Sequence, residues 1–339
     1  MKKNILFCGT PEFAVTSLKS IFDHQISLNY NLAGVITIPD TISGRGQKKQ
    51  ESAIKQAAKN LGLKIFLPNN LSDSNFINNI KALNLDLIIV VAFKKLPKVL
   101  FEIPKIGTIN LHASLLPQYR GAAPINWVIV NGEEKTGLTT FFINENIDTG
   151  DIILQTELNI KKTWHVDELH DKLKYTSSQI IKDTIEEIFE GSYKTKKQEE
   201  YGVEAIKYAP KINKHDRVVD AYFWNNQTIE EIYNFIRGMS PPGVKTIAKI
   251  YEKKSQKILM TQNIIITRVG GYKNIAEPKN MTQKNPIYIS VEYKNEIVIT
   301  DSINSFNIER LKTENGKEIS AKEFYNGFLK TKNTQLKFL

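Results

Sequence analysis

The sequence predicts an α/β protein, with a doubly wound parallel sheet in its first part and a smaller β-barrel or sandwich domain after it. Three observations carry this expectation. Short apolar runs alternate with amphipathic segments through the first part: KNILFC (3–8), AGVIT (33–37), KIFL (64–67), LDLIIVV (85–91) and GTINLHA (107–113). After residue 243 the pattern changes to strand-like runs, VKTIAKIY, KILMTQNIIITRV, PIYISVEY and EIVITD. A length of 339 residues also exceeds what one core ordinarily holds.

Taken in order, the first strand ends at Gly9, Thr10 suits an N-cap, Pro11 suits a first helical position, and a helix through Asp23 is expected. Further helices are expected near Gln50–Leu61 and Asn75–Leu83, from Pro124 in AAPINWVIV, and from Val166 to Glu190, entered through Thr163 and ended by Gly191. The polar, charged stretch 191–216 reads as a crossing linker. These signals draw a first domain at 1–190, a linker at 191–208 and a second domain at 209–339. One helix near Ile229–Met239 and one near Ala321–Leu329 frame the late strands.

The composition, 41% hydrophobic and 24% charged, is that of a folded globular chain and argues against disorder or a fibrous repeat. The longest apolar run, LDLIIVVAF, is of strand length and contains Asp86, and the N-terminus shows no signal-type cleavage site, so we expect a cytoplasmic protein without a membrane partner. The lone cysteine, Cys8, sits in an apolar strand and reads as a buried structural thiol. Residues 191–339 hold 25 Lys and Arg against 16 Asp and Glu, which leaves 21 and 20 for residues 1–190, so nearly all of the +10 charge lies in the second part. Such asymmetry suits a module that attracts a polyanion, or a Lys-rich face kept for solubility.

Several familiar sites are excluded. After Gly9 the next glycine is Gly34, so a dinucleotide-binding G-x-G-x-x-G is missing, as are a Walker loop and a G-x-S-x-G elbow. None of the five histidines pairs with another at the i,i+4 spacing of helical zinc sites, and with one cysteine no metal is expected.

What remains is INLHASLLPQYRG (109–121). Asn110 and His112 alternate with Ile109 and Leu111 and so point to one side of a strand, near the carboxyl edge where such sheets gather ligands. A packed core histidine is the bland reading. Pro117 ends regular pairing, Arg120 and Gly121 precede a helix start, and Asp148 lies in a later loop before Thr149 and Gly150, where it could equally be a turn residue. An amide, an imidazole and a carboxylate together suit acyl transfer to an amine: one steadies an oxyanion, one moves protons, one orients the second.

The run Asn110-x-His112-x-Ser114-Leu115-Leu116-Pro117, then Arg120-Gly121-Ala122-Ala123-Pro124 and Asp148-Thr149-Gly150-Asp151, resembles the folate-dependent formyltransferases. FCGTPEFA (7–14), PDTISGRGQKK (39–49), YAPKINK (208–214) and GKEISAKEFYNG (316–327) extend the likeness toward the branch that acts on tRNA. The resemblance implies a Rossmann-like formyltransferase domain and an OB-like C-terminal domain, with Asn110, His112 and Asp148 catalytic. It places reduced folate, as 10-formyltetrahydrofolate, against Ser114, Leu115, Leu116 and Pro117 and the loop containing Phe93, Leu96 and Pro97. It brings the initiator Met-tRNA to Arg45, Lys48 and Lys49. A monomer is expected. In two places the chain departs from the family pattern: VVAFKKLP (90–97) is one residue short and lacks a glycine, and 220–246 lacks the usual Asp-Trp pairing and a Phe. Two other readings stay open at this level, a formyltransferase for a nucleotide-linked amino sugar or other small amine, and a tRNA-binding protein without catalysis.

Overall fold

The computed structural model describes residues 2–43, 48–252, 254–275, 287–292, 296–313, 316–329 and 334–339. The chain divides into two compact units, Met1–Pro124 with Lys135–Leu158 and His170–Ala209, and Ile125–Glu134 with Asn159–Leu169 and Pro210–Leu339. Residues 191–209 cluster with the first unit, whereas 125–134 and 159–169 cluster with the second.

In the first unit the elements run β1 (Lys3–Gly9), α1 (Phe13–Asp23), β2 (Tyr30–Ile36), β3 (Thr41–Ser43), β4 (Lys48–Gln50), α2 (Ala53–Asn60), β5 (Ile65–Phe66), α3 (Ser74–Lys81), β6 (Leu87–Val91), α4 (Lys98–Phe101), β7 (Gly107–His112) and β8 (Arg120–Gly121). Then come α5 (Pro124–Val130), which leads into the second unit, β9 (Lys135–Phe142), β10 (Ile152–Asn159), α6 (Val166–Glu190), whose first turns belong to the second unit, and β11 (Tyr208–Ala209). The main sheet has the order β10-β9-β7-β6-β1-β2-β5. From β5 to β7 its neighbours are parallel, as the sequence predicts, and β9 joins β7 antiparallel. Ile88, Ile89, Val90 and Val91 are buried because helices cover both faces, which is why β6 reads as an unbroken apolar run. Burial pushes the Cys8 thiol up, as fits an unreactive core cysteine.

The first helix starts later than its sequence signals imply. Glu12, and not Thr10, is the N-cap, and it makes no side-chain capping bond. Pro11 already turns, its carbonyl accepting from Ala14 N at 3.1 Å, so the chain enters α1 through a tight turn and Thr10 O meets Ile54 N instead. Aspartate and serine caps do operate at α2 and α3, where Ser52 accepts from Lys55 N at 3.0 Å and Asp73 from Phe76 N at 2.9 Å.

The second unit contains α7 (Ala221–Asn226), α8 (Ile229–Gly238), β12 (Val244–Glu252), β13 (Ile258–Asn274), β14 (Tyr288–Glu292), β15 (Glu296–Thr300), β16 (Asn304–Thr313), β17 (Glu318–Ser320), α9 (Ala321–Phe324) and β18 (Thr334–Phe338). Its sheet runs β14-β15-β16-β13-β12-β18, with β17 beside β16. The end strands β14 and β18 meet, so this antiparallel sheet curls into a barrel-like body. Ile229, Ile232, Tyr233 and Ile236 of α8 pack into the same core as Val244, Ile264, Phe306 and Phe324. A capping box starts α8: Glu231 N donates to Thr228 Oγ1 at 3.2 Å and Thr228 N to Glu231 Oε2 at 2.6 Å. The strands β16, β17 and β18 and the helix α7 had no distinct signal in the sequence reading.

Candidate active site

Register fixes the pair that the sequence singled out. Asn110 stands between Val90 of β6 and Phe141 of β9, and His112 stands opposite Thr139. Both therefore lie at the carboxyl end of β7, beside the ends of β6 and β1, where Gly9 pairs with Val91. Asn110 is half-buried and His112 is buried.

Beyond His112 the chain folds into a fastened turn. Ser114 Oγ donates to Gln118 O at 2.7 Å, the Leu116–Pro117 peptide is cis, and Tyr119 takes a left-handed φ of 61°. That conformation aims Tyr119 O at His112 Nε2, 2.8 Å away. A carbonyl only accepts, so Nε2 carries a proton and Nδ1 faces the Asp148 carboxylate, with Oδ2 at 3.6 Å. Any further proton taken by His112 enters at Nδ1, next to that carboxylate.

Asp148 is more than a turn residue. It holds φ at 55°, and its Oδ2 accepts from Gly121 N at 2.9 Å. Its loop is organised by Asn144 Oδ1, which accepts from Asn146 N at 3.0 Å and Thr149 Oγ1 at 2.9 Å. Gly150 follows by necessity: a Cβ there would lie 1.6 Å from Phe142 O. Gly121, at φ 127°, is equally constrained, since a Cβ would come within 2.4 Å of Ala209 O where β8 pairs with β11.

Partners from distant strands hold the Ser-Leu-Leu-Pro turn. Thr139 Oγ1 donates to Ser114 O at 2.7 Å and accepts from Leu116 N at 3.1 Å, and Gln155 Nε2 donates to Leu116 O at 2.8 Å. Neither Thr139 nor Gln155 carries a local motif, and each acts only once strands far apart in sequence are adjacent.

The residues that the resemblance assigns to folate differ in what they present. Leu116 is 1% exposed and packs with Phe141 and Ile152, Leu96 is 3% exposed within the core under β6, and Ser114 and Pro117 are buried. Leu115, Phe93 and Pro97 are half-buried. The loop after β6 takes its left-handed φ of 48° at Ala92. It is tied to the Asp148 loop, because Lys95 Nζ donates to Glu145 O at 2.9 Å and Lys98 pairs with the Glu145 carboxylate.

Of the residues assigned to tRNA, Arg45 lies outside the described residues. Lys48 and Lys49 begin β4, which pairs antiparallel with β3, and Lys49 is exposed. The base of this hairpin is braced by Lys55, whose ammonium contacts Asp40 at 2.6 Å and Glu51 at 3.0 Å. Among the described residues no group of three or more His, Cys, Asp or Glu is placed to hold a metal ion, and no helix is long and apolar enough to cross a membrane.

Known proteins align with most of this chain. Residues 1–185 match the family model described as Formyl transferase, and 211–329 match Formyl transferase, C-terminal domain. A methionyl-tRNA formyltransferase of Parabacteroides distasonis is 39% identical over 90% of this chain and 97% of its own. Another, from Flavobacterium johnsoniae, is 49% identical over 71% and 73%. Among solved structures, an N-formyltransferase of Helicobacter canadensis, in complex with folinic acid and dTDP-3-aminofucose, shares the fold with a TM-score of 0.61 at 20% identity, covering 91% of this chain and 99% of that one.

Proposed function

Because the chain belongs to the methionyl-tRNA formyltransferase family, we propose that it moves the formyl group of 10-formyltetrahydrofolate onto the α-amino group of methionine on initiator tRNA, giving N-formylmethionyl-tRNA for translation initiation. One observation carries the mechanistic reading: His112 is held between Tyr119 O and the Asp148 carboxylate, beside Asn110, at the carboxyl edge of the sheet.

The folate supplies an activated formyl carbon; the chain's own residues do the rest. When the amine attacks, negative charge gathers on the formyl oxygen, and the half-buried Asn110 amide is the donor suited to it. The amine must also lose a proton. His112 takes it at Nδ1, 3.6 Å from Asp148 Oδ2, so the resulting imidazolium is formed against a fixed carboxylate and adds positive charge beside the oxyanion. The Tyr119 carbonyl keeps the ring from rotating. His112 then returns that proton from Nδ1 to the departing folate nitrogen as its bond to the formyl carbon breaks, so the oxyanion collapses to the new amide, tetrahydrofolate leaves and the ring is neutral again. No serine or cysteine nucleophile is required, since transfer is direct.

Leu115, Phe93 and Pro97, with the backbone of Ser114 to Pro117, form the wall for the pterin. Arg45, Lys48 and Lys49 reach the acceptor end of the tRNA, and the basic second unit meets its phosphates. The test is formylation of Met-tRNA by purified protein with 10-formyltetrahydrofolate, run beside free methionine and a nucleotide-linked amino sugar. Product on the charged tRNA alone is expected. Product on the sugar and none on the tRNA overturns the reading.

A further inference from the structure

Gln198 lies in the polar stretch after α6, yet it is only 2% exposed. A buried carboxamide is costly unless its hydrogen-bonding capacity is filled, and here both ends are filled. Nε2 donates to Asp148 O at 3.0 Å and to Gly150 O at 2.9 Å. Oε1 accepts from Arg120 Nε at 3.0 Å and Arg120 Nη2 at 2.7 Å. Carbonyls only accept and a guanidinium only donates, so these four bonds also fix which way the amide faces.

The bonds join the two segments that locate the Asp148 carboxylate, one through its backbone and the other through the Arg120 side chain. One is Asp148 itself, whose left-handed φ of 55° a non-glycine residue keeps only when its surroundings enforce it. The other is the Arg120–Gly121 strand, whose Gly121 N donates to Asp148 Oδ2. The segment bearing Gln198 is anchored in turn, with Lys196 and Ile152 exchanging two backbone bonds of 2.9 Å.

We infer that Gln198 is a positioning residue for formyl transfer: it sets the distance between Asp148 and His112 by gripping the backbone of the Asp148 loop with one end of its amide and the Arg120 guanidinium, next to Gly121, with the other. The inference rests on the roles proposed above for that pair. Gln198 touches no reacting atom.

Two variants separate its two grips. Gln198→Met keeps the volume and loses every bond; Gln198→Glu keeps acceptors for Arg120 and loses the donors to Asp148 O and Gly150 O. Both are expected to lower kcat by about 10- to 100-fold with the KM for each substrate within about twofold, the signature of lost positioning. Recovery in Gln198→Glu would assign the effect to Arg120 and overturn the inference. In an Asp148→Ala background Gln198→Met should cost nothing further, and a fully additive loss overturns it too. A crystal structure of Gln198→Met should show Asp148 Oδ2 moved from its 3.6 Å station on His112 Nδ1. An unmoved carboxylate refutes the inference whatever the activity. A wild-type protein that formylates nothing, with the carboxylate displaced in the variant, removes the proposed reaction and leaves the positioning role standing.

Discussion

Asn110 and His112 are the residues on which the proposed chemistry depends most directly, and their effects should be separable from binding. Asn110→Ala and His112→Ala are each expected to lower kcat by about 10²- to 10³-fold, with tRNA affinity nearly intact, because each removes a group that matters as charge develops. Initial rates and a filter-binding titration decide this, and retained turnover in both variants would refute the assignment. His165 makes the opposite case, a histidine with a structural task. Its Nε2 accepts from Val269 N at 3.3 Å, and burial, reinforced by Arg268, pushes its pKa down to about 4. Unfolding returns it to about 6.5, so the unfolded chain binds the proton first and stability falls as pH drops from about 6.5 through 4, by about 3 kcal/mol in all. Denaturant melts at pH 7 and pH 4.5 should show His165→Gln losing about 2 kcal/mol less than wild type over that interval; equal losses would contradict it. Asn110 and His112 were legible in the sequence because a two-residue spacing on a strand fixes a common face. Gln198 was not, since QEEYG carries nothing that distinguishes a buried clamp from a solvated linker.

At the scale of elements, local signals succeeded where the neighbouring structure agreed with them. The spacing and caps of Val166–Glu190 give α6 with the expected bounds, and the apolar run 85–91 gives β6. They failed where tertiary contact decides, as at α1, where Pro11 and Glu12 form a turn of their own. The short strands β8 and β11 exist only through each other, pairing Arg120 with Tyr208 and Gly121 with Ala209. Two element-scale outcomes follow from named contacts. Thr228→Ala removes the hydroxyl of the α8 capping box and should destabilise the protein by about 1 kcal/mol in urea melts. Gly150→Ala should cost far more, because its Cβ would sit 1.6 Å from Phe142 O and the loop carrying Asp148 must shift to admit it. A soluble Gly150→Ala protein with wild-type stability and kcat would show that this loop tolerates displacement, which the Asp148 geometry does not allow.

For the whole molecule, the distribution of charge matters more than its total. The sequence places 25 basic and 16 acidic residues in 191–339, and the barrel shows one consequence, Lys249 of β12 directly opposite Lys337 of β18. Like charges facing each other across a ladder weaken it unless an anion lies over them, and a phosphate backbone is such an anion. Each cation that neutralises a phosphate releases a condensed counterion, so tRNA affinity should fall steeply with salt, whereas folate, if it lies against Leu115, Phe93 and Pro97 as proposed, should respond little. Raising KCl from 50 to 200 mM is therefore expected to increase the KM for Met-tRNA by about tenfold or more and to change the KM for 10-formyltetrahydrofolate by less than about twofold. Replacing Lys249 and Lys337 together with glutamine should flatten the dependence on log salt by about one to two units and leave kcat at saturating tRNA unchanged. If both KM values instead rise in parallel, the charge serves the catalytic unit or solubility, and the tRNA must be held by contacts other than this face of the barrel.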